Sequence, residues 1–271
     1  MAEPAGSRLD SAITGRGLAK SRTAAARLIA DGLVTVDGVA VVKASARVSD
    51  EQTIVVATSD HYVSRAAHKL VAALDAFDVN VDKALVLDVG ASTGGFTQVL
   101  LERGSRQVIA LDVGHGQLHP KIRSDERVAV VEGFNARFMT PESLAGASKV
   151  PVTPTIVVGD LSFISLTTVL PALVATVGQS ADFVLLVKPQ FEVGRTGIRE
   201  GIVTNAGLRN DAIMNVLWAA WDLGLPTAGV ISSPIVGTSG NHEYVIWLSS
   251  RVGTNPTEWM QRVAGLAEAK K

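Results

Sequence analysis

Leu87–Leu100 reads LDVGASTGGFTQVL, an apolar strand that runs into a glycine-rich turn and then into a helix. Glycine is needed where a chain turns sharply or where a ligand comes close to the backbone. The free N–H groups at the start of the following helix favour an anion. The spacing from Gly90 to Gly95 is G-x-x-x-G-G, which is not the pattern of a dinucleotide site, and no Lys-Ser/Thr follows it as in a nucleoside triphosphate loop.

Strands and helices alternate on both sides of this turn, which predicts an α/β fold with a mostly parallel sheet covered on both faces. The helix before the turn is predicted to begin with Ser64 as its cap, in SRAAHKLVAALDAF. The last strand, EYVIWLSS, is predicted to run antiparallel at or near an edge. The other predicted strands are ALVLDVG, QVIALDVG, AVVEGFNA, PTIVVGDLSF, DFVLLVKPQF and TAGVISSP.

Composition excludes several classes of protein. The chain has 271 residues, 47% of them hydrophobic, and a formal net charge of −1, so it has a real core and is not basic overall. It contains no cysteine, which excludes disulfides and thiolate metal sites, and its five histidines lack the spacing of metal ligands. No secretory signal or apolar span is visible. We therefore expect a soluble, cytoplasmic, metal-free protein, and a monomer.

The first 57 residues predict a separate small α+β unit, joined by a linker at 58–63 to a larger domain at 64–271. Ser21 is the expected cap of a second helix that Gly32 closes, and Asp37-Gly38 marks a hairpin. One further strand-like run is expected over Arg47–Val56. Ser11–Ala30 contains four cations and no acid, which on an arbitrary protein is simply a solvated face.

The stretch Arg8–Val56 nevertheless resembles the RNA-binding fold named after small-subunit ribosomal protein S-four. In that family the basic helical face lies on RNA phosphates. The resemblance implies this role for Arg8, Lys20 and Arg22.

Two acidic residues add to the argument that the glycine turn binds a cofactor. Asp88 lies in the strand before the turn, and Asp112 ends the next strand, where a carboxylate can hold both hydroxyls of a ribose. A purely structural turn is the alternative. An adenosine cofactor without a pyrophosphate fits best, and S-adenosylmethionine is such a cofactor. The predicted contacts are Asp88, Gly90, Ala91, Ser92, Thr93, Gly94, Gly95, Phe96, Asp112, Asn135 and Asp160.

Charged residues also occur at the ends of other strands, where ligands bind in open α/β sheets. Asp160 follows TIVVG, Lys188 follows FVLLV, and Glu243 opens EYVIWL, while Lys69 lies near the start of the domain's first helix. Each alone reads as an exposed or capping residue. Together, two amines and two carboxylates can neutralise one another in a closed pocket. A nearby cation and burial both lower the pKa of a lysine, so that it can accept a proton near neutral pH.

GASTGGF, DLSFISL, LVKPQFEVG and SGNHEY resemble the TlyA family of ribosomal RNA 2′-O-methyltransferases over roughly Arg8–Leu248. The resemblance implies a Rossmann-like class I methyltransferase sheet, S-adenosylmethionine as cofactor and cytidine ribose in ribosomal RNA as substrate. The wider FtsJ-like family uses a Lys-Asp-Lys-Glu tetrad, which falls here on Lys69, Asp160, Lys188 and Glu243. Lys188 is the expected proton acceptor, although the sequence leaves open which member acts.

The resemblance also suggests RNA contacts for Phe163 and Ser239, with core packing and a turn as their alternatives. The segment Val193–Gly207 is glycine-rich and is a candidate to close over RNA. The residues ahead of the basic module favour a family member that modifies both ribosomal subunits. Three other functions are alternatives: a non-catalytic RNA-binding protein, a membrane-active haemolysin, and methyl transfer to another RNA or to protein.

Overall fold

A computed structural model describes residues 6–30, 32–56, 61–194, 198, 201–237 and 240–269. Ser239 and, within the segment 193–207, residues 195–197, 199 and 200 lie outside the described residues, so the expectations for Ser239 and for closure of this segment stay predictions.

The N-terminal unit is built from two helices and five short strands around a small core. Leu9, Ile13 and Ile29 are fully buried in it. Ser21 caps the second helix as predicted, since its Oγ accepts the N–H of Ala24 at 3.1 Å. The elements are β1 (Ser7–Arg8), α1 (Leu9–Gly15), α2 (Arg22–Ala30), β2 (Val34–Val36), β3 (Val39–Ala40), β4 (Arg47–Val48) and β5 (Ile54–Val56).

The hairpin prediction is confirmed and the prediction of one further strand is wrong. Asp37 and Gly38 both have positive φ, 50° and 80°, as a two-residue hairpin turn requires. The run Arg47–Val56 breaks into two strands of different sheets: β4 pairs with β1, whereas β5 pairs with β2. The chain turns between them, where the carbonyl of Ser49 accepts the N–H of Gln52.

The larger unit begins with α3, which starts at Ala67 rather than at Ser64. Ser64 instead opens a separate turn, since its carbonyl accepts the N–H of Ala67 and its Oγ accepts that of Ala66. The elements are α3 (Ala67–Ala76), β6 (Leu85–Val89), α4 (Gly95–Glu102), β7 (Gln107–Leu111), α5 (Pro120–Arg123), β8 (Val128–Val131), α6 (Pro141–Ser148), β9 (Ile156–Gly159), α7 (Leu166–Val177), β10 (Asp182–Val187), α8 (Pro189–Glu192), α9 (Ala206–Asp222), β11 (Thr227–Ser232), β12 (Tyr244–Leu248) and α10 (Met260–Glu268).

Seven of these strands form one sheet in the order β11-β12-β10-β9-β6-β7-β8. β12 pairs antiparallel with both of its neighbours, whereas the pairs from β10 to β8 are parallel. An apolar cluster covers each face of the sheet, as the alternating pattern predicts. The sheet order reverses at β6 and β9, and the glycine turn follows β6, so the site lies where such sheets bind ligands.

Candidate active site

Two cavities adjoin at the carboxyl edge of the parallel strands. The larger has a volume of about 540 Å³, within the range of small-molecule sites, and the smaller about 210 Å³. The wall between them is formed by Gly90, Ser92, Asp160 and Ser162, which line both. A molecule in the larger cavity would therefore touch one in the smaller.

The turn after β6 forms the floor of the larger cavity. Gly90 takes a φ of +82°, and Ser92 takes the left-handed φ of +47° that is unusual for a residue with a side chain. Asp112 holds this turn, because its Oδ2 accepts the N–H of Ser92 at 2.8 Å and its Oδ1 accepts that of Gly114 at 2.7 Å. Each carboxylate oxygen retains a lone pair that can accept a ribose hydroxyl.

Close packing, rather than the approach of a ligand, explains the two adjacent glycines Gly94 and Gly95. A Cβ on Gly95 would lie 2.9 Å from the Cβ of Ser64, and one on Gly94 would lie 2.8 Å from a methyl group of Leu118. Gly95 thus lets α4 pack against the start of α3, the helix that carries Lys69, whereas Gly94 lets the turn pack against Leu118 and Ile122. Ala91, Ser92, Thr93, Gly95 and Phe96 line the smaller cavity.

Asp88 lies behind the turn and lines neither cavity. It is fully buried, and its Oδ2 accepts the hydroxyl of Thr97 at 2.6 Å, while its Oδ1 has no hydrogen-bond partner. Burial raises the pKa of this carboxyl to about 7, an effect that the Thr97 hydroxyl reduces. The prediction of a direct cofactor contact at Asp88 is not supported, because its carboxylate is fully buried and accepts a hydrogen bond from Thr97 of α4.

Asn135 lies in the larger cavity, as predicted for the adenine end. Its Oδ1 accepts the N–H of Arg137 at 3.0 Å, which fixes the start of a short 3₁₀ turn over Ala136–Phe138. Sequence reasoning did not identify four further lining residues. Gln117 and Phe134 come from loops without a motif of their own, whereas Leu161 and Ile164 lie inside the quoted motif DLSFISL.

The smaller cavity brings together all four predicted tetrad residues. Lys69 Nζ lies 3.0 Å from Asp160 Oδ2 and 2.7 Å from Glu243 Oε2. Lys188 Nζ lies 2.6 Å from Asp160 Oδ1. The two lysines and Glu243 are buried, and Asp160 between the amines is nearly so. The four side chains thus form one continuous chain of opposite charges.

The two lysines differ in their surroundings. Burial alone would lower the pKa of Lys69, but Asp160 and Glu243 on either side raise it above its usual value. The expectation of a lowered lysine pKa is therefore wrong for Lys69, because two carboxylates outweigh burial. Burial would likewise raise the pKa of Asp160, and the two lysines lower it instead.

Lys188 has a neutral partner in place of a second carboxylate. Its Nζ donates to Ser162 Oγ at 2.8 Å and lies 5.9 Å from the ring centroid of Phe191. Ser162 was missed by sequence reasoning, although it lies inside the quoted motif DLSFISL. Lys188 is thus the amine with one carboxylate contact, and Lys69 the amine with two.

Phe163 lies at the mouth of the larger cavity with 91% of its surface exposed, which rules out core packing. Its φ is +65°, the left-handed conformation that a bulky residue rarely adopts.

The predicted RNA contacts of the N-terminal unit lie on its surface. Arg8 and Arg22 both pair with the buried carboxylate of Asp10, at 3.0 and 3.2 Å. Lys20 is exposed close by in the chain.

Two groups of the larger cavity fit an adenosine cofactor: the carboxylate of Asp112, whose oxygens each keep a lone pair, and the side-chain amide of Asn135. Within the described part of the chain, no three His, Cys, Asp or Glu side chains are grouped to hold a metal ion. None of the helices among the described residues is long and apolar enough to cross a membrane.

Comparison with known proteins gives the family. Residues 62–250 match the model of the FtsJ-like methyltransferases, and residues 7–54 match the S4 domain. The chain is 49% identical over 247 residues, 90% of each chain, to the 16S/23S rRNA (cytidine-2′-O)-methyltransferase TlyA of Mycobacterium tuberculosis. It is 38% identical to Hemolysin A of Brachyspira hyodysenteriae over 88% of this chain and 98% of that one. A solved structure of a protein named as a hemolysin, from Streptococcus thermophilus, shares 35% identity with a TM-score of 0.74 and covers 97% of this chain and 95% of that one. The chain therefore belongs to the FtsJ-like methyltransferases, with an S4 domain at its N-terminus, and within them to the TlyA group.

Proposed function

We propose that this protein transfers a methyl group from S-adenosylmethionine to the 2′-hydroxyl of a cytidine ribose in ribosomal RNA. The observation that carries the proposal is the charged chain Lys69–Asp160–Lys188 with Glu243, which lies where the two cavities meet. The larger cavity takes the cofactor and the smaller one takes the ribose. The relative from Mycobacterium tuberculosis is named for this reaction on 16S and 23S rRNA, and one from Campylobacter jejuni for 23S rRNA.

S-adenosylmethionine supplies an activated methyl group when it is bound. Asp112 would hold its ribose and Asn135 would lie at its adenine. The N–H groups at the start of α4, at Gly95 and Phe96, would face its carboxylate. The residues of the turn would thereby hold the cofactor next to Asp160 and Ser162, which line both cavities.

The neutral amine of Lys188 would accept the proton of the 2′-hydroxyl. The asymmetry of the tetrad supports this choice. Lys69 is held protonated between two carboxylates, whereas Lys188 faces one carboxylate and the Ser162 hydroxyl. Asp160 and Lys69 would orient the ribose, and Glu243 would balance the charge of Lys69. Positioning of this kind can lower a barrier by up to about 7–11 kcal/mol.

The N-terminal unit would hold structured RNA through its phosphates. Arg8 and Arg22 share Asp10, so both guanidinium groups are held in place on one surface. We propose a basic RNA-binding domain over 1–57, a linker over 58–63 and a catalytic domain over 64–271. A ribosomal substrate implies that the protein works in the cytoplasm.

The test is to incubate the purified chain with labelled S-adenosylmethionine and each ribosomal subunit, then map stops in primer extension. We expect label and one new stop at a cytidine in at least one subunit. Absence of label in both subunits would overturn the proposal. Lysis of liposomes by the pure protein, in the same series, would support the haemolysin alternative that the relatives' names raise.

A further inference from the structure

The loop that follows β9 is joined at both of its ends to the segment that follows β10, which consists of Lys188 and α8. Near the strands, Lys188 Nζ donates to Ser162 Oγ at 2.8 Å. Further out, Glu192 Oε2 accepts the hydroxyl of Ser165 at 2.5 Å, and its Oε1 accepts the N–H of Leu166 at 2.8 Å. Residues 162–165 are thus held between two polar contacts.

Phe163 projects from the middle of this fastened loop. Its ring centroid lies 5.3 Å from that of Phe191, which belongs to the same segment as Lys188 and Glu192. Its left-handed φ of +65° and its 91% exposure are both unfavourable for a phenylalanine. Such a conformation persists only where the surrounding structure fixes it. The contacts at Ser162 and at Ser165 and Leu166 provide that fixation.

The carboxylate of Glu192 is partly buried at the N-terminus of α7. Burial raises its pKa, while hydrogen bonds from Ser165 and Leu166 reduce that effect. Its oxygens meet the first N–H of α7, where the helix dipole favours negative charge. Ser165 is the N-cap of the same helix, since its Oγ accepts the N–H of Thr167 at 3.1 Å. Glu192 therefore fixes the point at which the loop ends and α7 begins.

We propose that Glu192 is a positioning residue for substrate recognition, which holds the loop after β9 so that Phe163 stands at the cavity mouth as a preformed stacking surface for an unpaired RNA base. Every base has a face that can stack on an aromatic ring. A surface that is already ordered loses less conformational entropy on binding than a mobile one. The inference rests on the proposed function, because it requires the target ribose in the smaller cavity, which adjoins the larger one at Ser162, the residue before Phe163.

A double-mutant cycle in the full-length chain separates this role from that of a simple helix cap. The variants are Phe163→Ala, Glu192→Ala and the double variant, assayed with the ribosomal subunit that the wild type methylates. The measurements are kcat, the KM for the subunit, the Kd for S-adenosylmethionine and the melting temperature. Glu142→Ala is the matched control, since Glu142 is an exposed acid in the first turn of α6.

Phe163→Ala should raise the KM for the subunit about 5- to 100-fold, the range of one stacked base. Glu192→Ala should raise it about 3- to 10-fold, a smaller loss because Phe163 remains, with the Kd for S-adenosylmethionine unchanged. In the Phe163→Ala background, Glu192→Ala should add less than about 2-fold, because the residue through which it acts is gone. Glu192→Gln should recover most of the loss, since its amide oxygen can still accept the N–H of Leu166.

Equal effects of Glu192→Ala with and without Phe163 would overturn the inference, as would a lower melting temperature with an unchanged KM. If Glu192→Ala fails to fold, Ser165→Ala removes the same contact from the other side and should give the same pattern. An unchanged KM in Phe163→Ala would overturn the stacking surface itself. Failure of the wild type to methylate either subunit would instead contradict the proposed function.

Discussion

Lys188 Nζ lies 2.6 Å from Asp160 Oδ1, although the two residues end different strands of the sheet. The strands β9 and β10 are parallel neighbours, so their carboxyl ends meet at one edge. Asp160 reaches Lys69 with its other oxygen. One carboxylate therefore separates an amine with two acidic partners from an amine with one, and the proposed mechanism depends on that difference.

Replacing Lys188 with methionine should reduce kcat by about 10²–10⁴-fold, the usual contribution of a general base. Methionine keeps the length of the side chain and removes the amine. The Kd for S-adenosylmethionine should stay within about 3-fold of wild type, since Lys188 lines only the smaller cavity. The measurement is single-turnover methylation with saturating subunit and cofactor.

The matched control is Lys83→Met, because Lys83 is an exposed lysine of the same domain. It should retain full activity. A Lys188→Met variant that folds, binds the cofactor and methylates at the wild-type rate would contradict the assigned base.

Asp112→Ala should weaken S-adenosylmethionine binding by about 10- to 100-fold, the loss expected for charge-assisted hydrogen bonds. The carboxylate both holds the turn at Ser92 and faces the cavity. Isothermal titration with the cofactor gives the Kd directly. RNA affinity, measured without cofactor, should not change, and an unchanged cofactor Kd would show that the larger cavity binds something else.

Asp88→Asn should gain stability relative to wild type as the pH rises from 5 to 8. The pKa of Asp88 is about 7 in the folded protein against 3.8 for the free side chain. Between these two pKa values the folded protein keeps a proton that the unfolded chain has released. The free energy of unfolding of the wild type therefore falls as the pH rises toward 7. Asparagine resembles the protonated carboxyl and does not titrate.

The difference in free energy of unfolding between Asp88→Asn and wild type should move by about 2 kcal/mol in favour of the variant over that range. Urea unfolding at pH 5, 6, 7 and 8 measures it. Asp222→Asn, at an exposed aspartate, should show no such trend. Parallel stability curves for wild type and Asp88→Asn would contradict the raised pKa.

Arg22→Ala should reduce the salt dependence of RNA binding, lowering the slope of log K against log salt by about 1. Arg16→Ala should differ, because the guanidinium of Arg16 donates to the backbone carbonyls of Ser49, Asp50 and Gln52. Its loss should lower the stability of the N-terminal unit and leave the slope nearly unchanged. Equal slopes for wild type and Arg22→Ala would contradict a phosphate contact.

The sequence could predict that Asp160 and Lys188 share one edge of the sheet, because each follows an apolar run and the carboxyl ends of parallel strands meet at one edge. The tetrad as a set is predicted from the resemblance to the FtsJ-like family. The antiparallel β12 brings Glu243 to the same edge, because its first residue lies beside the last residues of β10.

What the sequence could not reveal depends on distances between loops. The pairing of Glu192 with Ser165 joins residues 27 positions apart, one at the end of α8 and the other at the N-cap of α7. The burial of Asp88 depends on which face of the sheet its side chain points to. The sequence of this strand is compatible both with a cofactor contact and with a buried structural role. The pKa of Lys69 depends on Asp160 and on Glu243, and Glu243 is far from Lys69 in the sequence.

The 2′-hydroxyl as methyl acceptor is tested most directly by alkaline hydrolysis of rRNA from subunits methylated with labelled S-adenosylmethionine. A 2′-O-methyl group blocks cleavage of the following phosphodiester bond. The account predicts that the label is recovered in alkali-stable dinucleotides with cytidine at the 5′ position, and that Lys188→Met removes it. Label recovered in mononucleotides, as from a methylated base, would contradict the account.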